Sequence, residues 1–233
     1  MTSTGEAPPG DATPGAAPPA YAARPGSSYF VRAERYATRS ARRHAEEWRL
    51  VRRVLGSRPL PRDVLDVPCG TGRLAAEFLA RGARVRCADL SPAMRAQAEA
   101  SLAGRKGFLG VEARDLEAEV ARDAPRHDLV LCFRFLHHLP DAATRRRVLS
   151  HLAARCRGAV LVSFHHPVSL HQVARGVRRV VTRRRGDRHA ITLRALRTDA
   201  GAVGLRVVAA EGLAPGLRDL WVALLEPAGS AAS

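Results

Sequence analysis

The chain has 233 residues, with 38 Lys plus Arg against 22 Asp plus Glu and a formal net charge of +16. Hydrophobic residues make up 46% of it, enough for a sizeable core, and the length fits one domain of about 100–200 residues. No run of about 18 apolar residues occurs, which excludes a helical membrane span. The excess charge is almost all arginine, because Lys106 is the only lysine. Together with abundant Ala, Gly and Pro, that bias reads as GC-rich codon usage, so the total charge says little about function.

Residues 1–28 hold Glu6, Asp11 and Arg24 as their only charged groups, in a Pro/Ala/Gly-rich stretch too poor in bulky apolar side chains to offset ordering entropy. A disordered leader is expected there, with neither the apolar block of a secretory signal nor the arginines of a transit peptide. A helix is predicted over 40–55, ended by Gly56 and by Pro59 and Pro61. Strand and helix patterns then alternate: strand 63–67, helix 72–81, strand 84–88, a helix over 92–102 opened by Pro92 behind Ser91, strands 108–111 and 129–133, helix 142–154 and strand 159–164. Short apolar runs between helices predict a parallel sheet covered on both faces. After a helix over 193–203, strands 204–209 and 220–225 are joined only by EGLAPGLRD, a turn that links antiparallel strands but cannot make a right-handed crossover.

The expectation is therefore one α/β domain over 29–226, with seven strands and a closing antiparallel hairpin, followed by a flexible tail over 227–233. Cys69, Cys87, Cys132 and Cys156 are scattered singly. That favours reduced thiols and a cytoplasmic protein over a disulfide framework or a zinc site.

The segment VLDVPCGTGRLA over 64–75 is a strand entering a glycine turn and then a helix. In open parallel sheets this first turn is where nucleotides bind, because glycine admits the ligand close to the backbone. Gly70 and Gly72 open a G-x-G-x-x-A match that by itself fits a nicotinamide dinucleotide too. Three acids sharpen it: Asp66 inside the first strand, Asp89 at the end of the second in CADLSPAM, where both ribose hydroxyls can be accepted, and Asp115 after the third in EARDLE.

With these segments and DLVLCFRFLHHLPD over 128–141, the sequence resembles the class I S-adenosylmethionine (SAM)-dependent methyltransferases from about 63 to 164, and again in the terminal hairpin. The resemblance implies a Rossmann-like fold, a seven-stranded mostly parallel sheet with an antiparallel last strand, and SAM as cofactor. It implies that Asp66 and the backbone at Pro68, Cys69 and Gly70 hold the methionine part, and that Asp89 holds the ribose. Leu90 and Met94 would flank the adenine, Asp115 and Leu116 meet its edge, and Phe133 lie near the sulfonium. Tyr36 and Arg39 would cover the cofactor's carboxylate. Pro68 stands where the family usually has its first glycine, and it removes one N–H.

Methyl transfer is an in-line displacement that needs a deprotonated acceptor, a task suited to histidine. The candidates His137, His138, His165 and His166 follow the fourth and fifth strands. No histidine or carboxylate cluster has metal spacing, so no metal is expected. The connection over 165–190 carries Arg175, Arg178, Arg179 and Arg183. It reads as a basic lid with a helix over 168–181 that would face an acidic small-molecule acceptor, against the competing reading of a solvated arginine face. Nucleic acid is the less favoured partner, because the segment lacks aromatic residues for stacking on bases. The alternatives are a nicotinamide-dependent oxidoreductase and a basic nucleic-acid-binding or RNA-methylating module. The sequence leaves the acceptor and the oligomeric state open.

Overall fold

A computed structural model describes residues 41–121, 123–168 and 189–229. Its elements are α1 (Ala41–Leu55), β1 (Asp63–Asp66), α2 (Arg73–Leu79), β2 (Arg84–Ala88), α3 (Pro92–Leu102), β3 (Phe108–Glu112), β4 (His127–Cys132), a 3₁₀ turn (Leu136–His138), α4 (Ala142–Ala154), β5 (Cys156–His165), α5 (Leu193–Gly201), β6 (Leu205–Gly212) and β7 (Leu220–Pro227). The helices begin where the sequence supplies side-chain acceptors. Ser91 Oγ accepts the Met94 N–H (3.4 Å) ahead of Pro92, Asp141 Oδ1 accepts the Thr144 N–H (2.8 Å), and Thr192 Oγ1 accepts the Ala195 N–H (3.1 Å). Gly56, at φ +65°, ends α1 and donates to the Arg52 carbonyl at 3.0 Å.

The strands form one sheet in the order β3-β2-β1-β4-β5-β7-β6. β1 to β5 run parallel, while β7 lies antiparallel to both β5 and β6. Successive side chains leave opposite faces of each strand, and the core divides accordingly. Leu65, Val130, Val160, Val162 and Leu225 pack under α4 and α5 with Val148, Leu152 and Leu196. Val64, Leu129, Leu131, Leu161 and Leu224 pack on the other face against α1, α2 and α3 with Val51, Phe78 and Leu102.

β4 and β5 start earlier than their apolar runs suggest. The His127 N–H donates to the Arg155 carbonyl at 2.9 Å. The Asp128 carboxylate accepts the Arg62 and Asp63 N–H groups and Arg157 Nε, fastening three polar strand starts together. Paired backbone thus extends past the apolar residues at this end of the sheet. All four cysteines are free and buried, and no helix among the described residues is long and apolar enough to cross a membrane. Residues 1–40, the helix expected over 168–181 and most of the basic insertion lie outside the described residues.

Candidate functional site

At the carboxyl end of the sheet the strands open onto a cavity between β1, β2 and β4. The glycine turn forms its floor. The Val67 N–H donates to the Leu131 carbonyl and the Cys69 N–H to the Ala88 carbonyl, both at 2.9 Å, so the segment past β1 stays registered between β4 and β2. Gly70 and Gly72 follow at φ +56° and +75°; a Cβ at Gly72 would come within 2.6 Å of Leu102 Cδ1. Glycine is required at that second position for both conformation and space.

Two acids face the turn. Asp89, buried at the end of β2, accepts the Gly70 N–H through Oδ2 (3.0 Å) and the Ser91 N–H through Oδ1 (2.9 Å), tying β2 to the glycine turn and to the start of α3. Asp66 is 1% exposed, and its Oδ1 has no hydrogen-bond partner among the described residues. Burial pushes its carboxyl up to about 7; the Asp89 charge adds to the rise, while the Ala75 N–H and the Arg73 guanidinium oppose it.

The cavity and its open mouth together hold about 700 Å³ of space. Asp66, Pro68, Cys69, Gly70, Asp89, Met94, Phe133 and His138 line it, together with Thr71, Leu74, Arg73 and Arg134. A hydrogen bond with Cys87, with burial, holds the Cys69 thiol far above its ordinary range, which makes it a packing group and not a nucleophile. Arg134, directly after Phe133, has φ +59° and is the non-glycine residue in the left-handed region among those described; its N–H donates to Ser163 Oγ.

The histidines separate by depth. His138 lines the cavity. Behind it, His137 is 2% exposed and stacks on His165, centroids 4.0 Å apart with planes at 9°. The His137 ring also lies 4.2 Å from that of His138. His165 Nδ1 pairs with buried Asp219 at 3.3 Å, and the Asp219 carbonyl accepts the His166 N–H. Among the described residues no group of three or more metal-ligating side chains is suitably arranged.

Residues 65–158, from β1 into β5, match the family described as a methyltransferase domain. That matched segment holds the glycine turn, Asp66, Asp89, Phe133 and His138. Over 92 residues it is 32% identical to a ubiquinone biosynthesis O-methyltransferase of Nitrosospira multiformis, covering 40% of this chain and 38% of that protein. It is 39% identical over 92 residues to the protein of that name from Leptothrix cholodnii, covering 38% of each. The chain thus matches less than two-fifths of the length of these curated relatives. Among solved structures, the magnesium protoporphyrin IX methyltransferase of Synechocystis with bound S-adenosylhomocysteine superimposes with a TM-score of 0.68 at 20% identity, over 86% of this chain and 95% of that one.

The residues expected at the site fall into three groups. Asp66, Pro68, Cys69, Gly70, Asp89, Met94, Phe133 and His138 share the cavity. Leu90, Asp115 and Leu116 are not among its lining residues: Asp115 Oδ1 accepts the Glu117 N–H at 2.9 Å, and Leu116 is buried in the core with Leu90 packed against that core. Tyr36, Arg39, Arg175, Arg178, Arg179 and Arg183 lie outside the described residues. Sequence reasoning missed Arg73, Arg134 and the buried Glu47 that both of them contact. Two signals were available: Glu47 sits in helical register with Val51 and Val54, and Arg134 interrupts an apolar run between Phe133 and Phe135.

Proposed function

We propose that this chain transfers a methyl group from SAM to an oxygen nucleophile of a small-molecule acceptor. The cavity between β1, β2 and β4 carries the reading, because its acids match the groups of that cofactor. The buried Asp66 Oδ1 has an open acceptor site suited to the ammonium group. Asp89, which accepts the Gly70 and Ser91 N–H groups at the end of β2, stands where a carboxylate suits the ribose hydroxyls. When bound, SAM supplies a methyl group on a positively charged sulfur that departs in line with an attacking atom.

The protein's own part is to orient, to exclude water and to manage one proton. Phe133 and Met94 give the cavity apolar walls, and His138, the cavity-lining member of the histidine group, takes the proton of the acceptor hydroxyl. His137 and His165 brace His138 from behind. The names of the curated relatives favour oxygen as the acceptor atom. The arginines Arg175, Arg178, Arg179 and Arg183, encoded just after β5, favour an acceptor that bears an acidic group. Four buried reduced thiols fit a cytoplasmic setting. Neither the matched family nor the cavity favours the oxidoreductase or nucleic-acid alternatives.

Isothermal titration calorimetry tests the cofactor. Binding of SAM and S-adenosylhomocysteine with none of NAD is the expected outcome; a folded chain that binds neither sulfur compound overturns the reading. Incubating the chain with SAM and a cell extract, and following mass increases of one methylene, then identifies the acceptor.

A further inference from the structure

Glu47 is the least exposed charged side chain described, at 0%. It stands on α1, in a face otherwise made of Trp48, Val51 and Val54. A carboxylate taken so far from water is costly unless its oxygens are well filled, and these are. Oε2 accepts Arg73 Nη2 at 3.2 Å, while Oε1 accepts both Nε and Nη2 of Arg134. Arg73 opens α2 directly after the glycine turn and also reaches His44 Nδ1 at 3.2 Å. Arg134 opens the loop after β4. Glu47 therefore joins the two sides of the cavity from a third element.

Three features point to an arrangement directed at a ligand. Both guanidinium groups line the cavity and remain partly open to it, with 24% and 17% of their side chains exposed. The two cations also share the Glu47 carboxylate, whereas Asp89 and Met94 lie on the α3 side. Moreover, Arg134 holds a left-handed backbone, at φ +59°, that arginine adopts only at a cost. Its fork on Glu47 and its N–H bond to Ser163 keep it there, and this conformation brings its guanidinium to the cavity wall.

We propose that Arg73 and Arg134 grip a carboxylate at this end of the cavity, and that Glu47 is the positioning residue that aims both. The proposal rests on the cofactor reading above and extends it: the carboxylate is that of the cofactor's amino-acid end, gripped from within the domain core. The pocket then ranks adenosyl ligands by whether they carry a carboxylate. Planar guanidinium groups suit that recognition, because paired N–H donors match the two oxygens.

The test compares S-adenosylhomocysteine with 5′-methylthioadenosine, which shares the thioether and the nucleoside but lacks the amino-acid end. Calorimetry on the full chain should show the wild type preferring S-adenosylhomocysteine by at least about tenfold, as expected for a charge-assisted contact. In Glu47→Gln, Arg73→Gln and Arg134→Gly the preference should shrink about tenfold, with 5′-methylthioadenosine affinity little changed. Arg134→Gly keeps the test open if Glu47→Gln fails to fold, because glycine adopts that backbone without strain. A purely structural role would weaken both ligands equally, and that result overturns the proposal, as does a wild type without preference. If the wild type binds neither compound, the cofactor reading fails and the proposal with it.

Discussion

Replacing Asp66 by asparagine should make the chain more stable, and increasingly so as the pH rises. Asp66 is buried with an unfilled oxygen, and its carboxyl titrates near 7 in the folded protein against an ordinary 3.8. At about 1.4 kcal/mol for each pH unit, the native state holds that proton more tightly than the unfolded chain by an upper bound of about 4 kcal/mol. The sign follows from a raised folded value: the stabilisation is complete below pH 3.8 and is lost as the pH rises through 7. Asparagine cannot ionise, so the stability difference between Asp66→Asn and wild type should widen over that window and level off above it. Urea unfolding without ligand, at intervals from pH 4.5 to 8, measures it, and the other carboxylates cancel between the two proteins. A difference that stays flat across the window refutes the assignment. A cationic ligand that favours the ionised form should also bind the wild type more tightly as the pH rises through 7, with no such trend in the variant.

Three further outcomes are expected. Asp89→Ala removes the acceptor for the Gly70 and Ser91 N–H groups and should weaken S-adenosylhomocysteine by about 10- to 100-fold in calorimetry; unchanged binding would remove Asp89 from the site. His138→Gln should lower kcat about 100-fold while leaving S-adenosylhomocysteine affinity intact. His165→Gln, which leaves Asp219 buried without its imidazole partner, should instead cost about 1–3 kcal/mol of stability in urea titration. Gly107→Ala, far from the cavity, would place a Cβ 2.4 Å from the Ala83 carbonyl oxygen at φ +88°. It should cost upwards of about 2 kcal/mol, while ligand affinity per folded molecule stays constant.

The fold was legible where one local rule governed each element. Apolar runs of four to six residues marked the strands, and Ser91, Asp141 and Thr192 marked helix starts by the same chemistry that holds them there. The ends of β4 and β5 were not legible, because Asp128 extends them through bonds to residues 29 and 65 positions away in sequence. The candidate site divided along the same line. Asp66, Asp89 and the glycines lie at strand ends, where position alone suggests a role. Glu47, Arg73 and Arg134 are brought together across separations of 26 and 87 residues, and no periodicity encodes such a meeting. The depth of the histidines also escaped the sequence: His137 stacks on His165, which pairs with Asp219 from the loop before β7.

The place of β7 constrains how this molecule can be made. Its residues Val222, Ala223, Leu224 and Leu225 are wholly buried between β5 and β6, although they are translated after both. The half of the sheet built from β1 to β4, with the glycine turn and both acids, can assemble while synthesis continues. The edge that supports His165 cannot, because its neighbouring strand is still inside the ribosome. Each new copy must therefore wait, with one flank of β5 open, until residues 220–227 emerge and bring β6, which pairs with β7, onto the sheet.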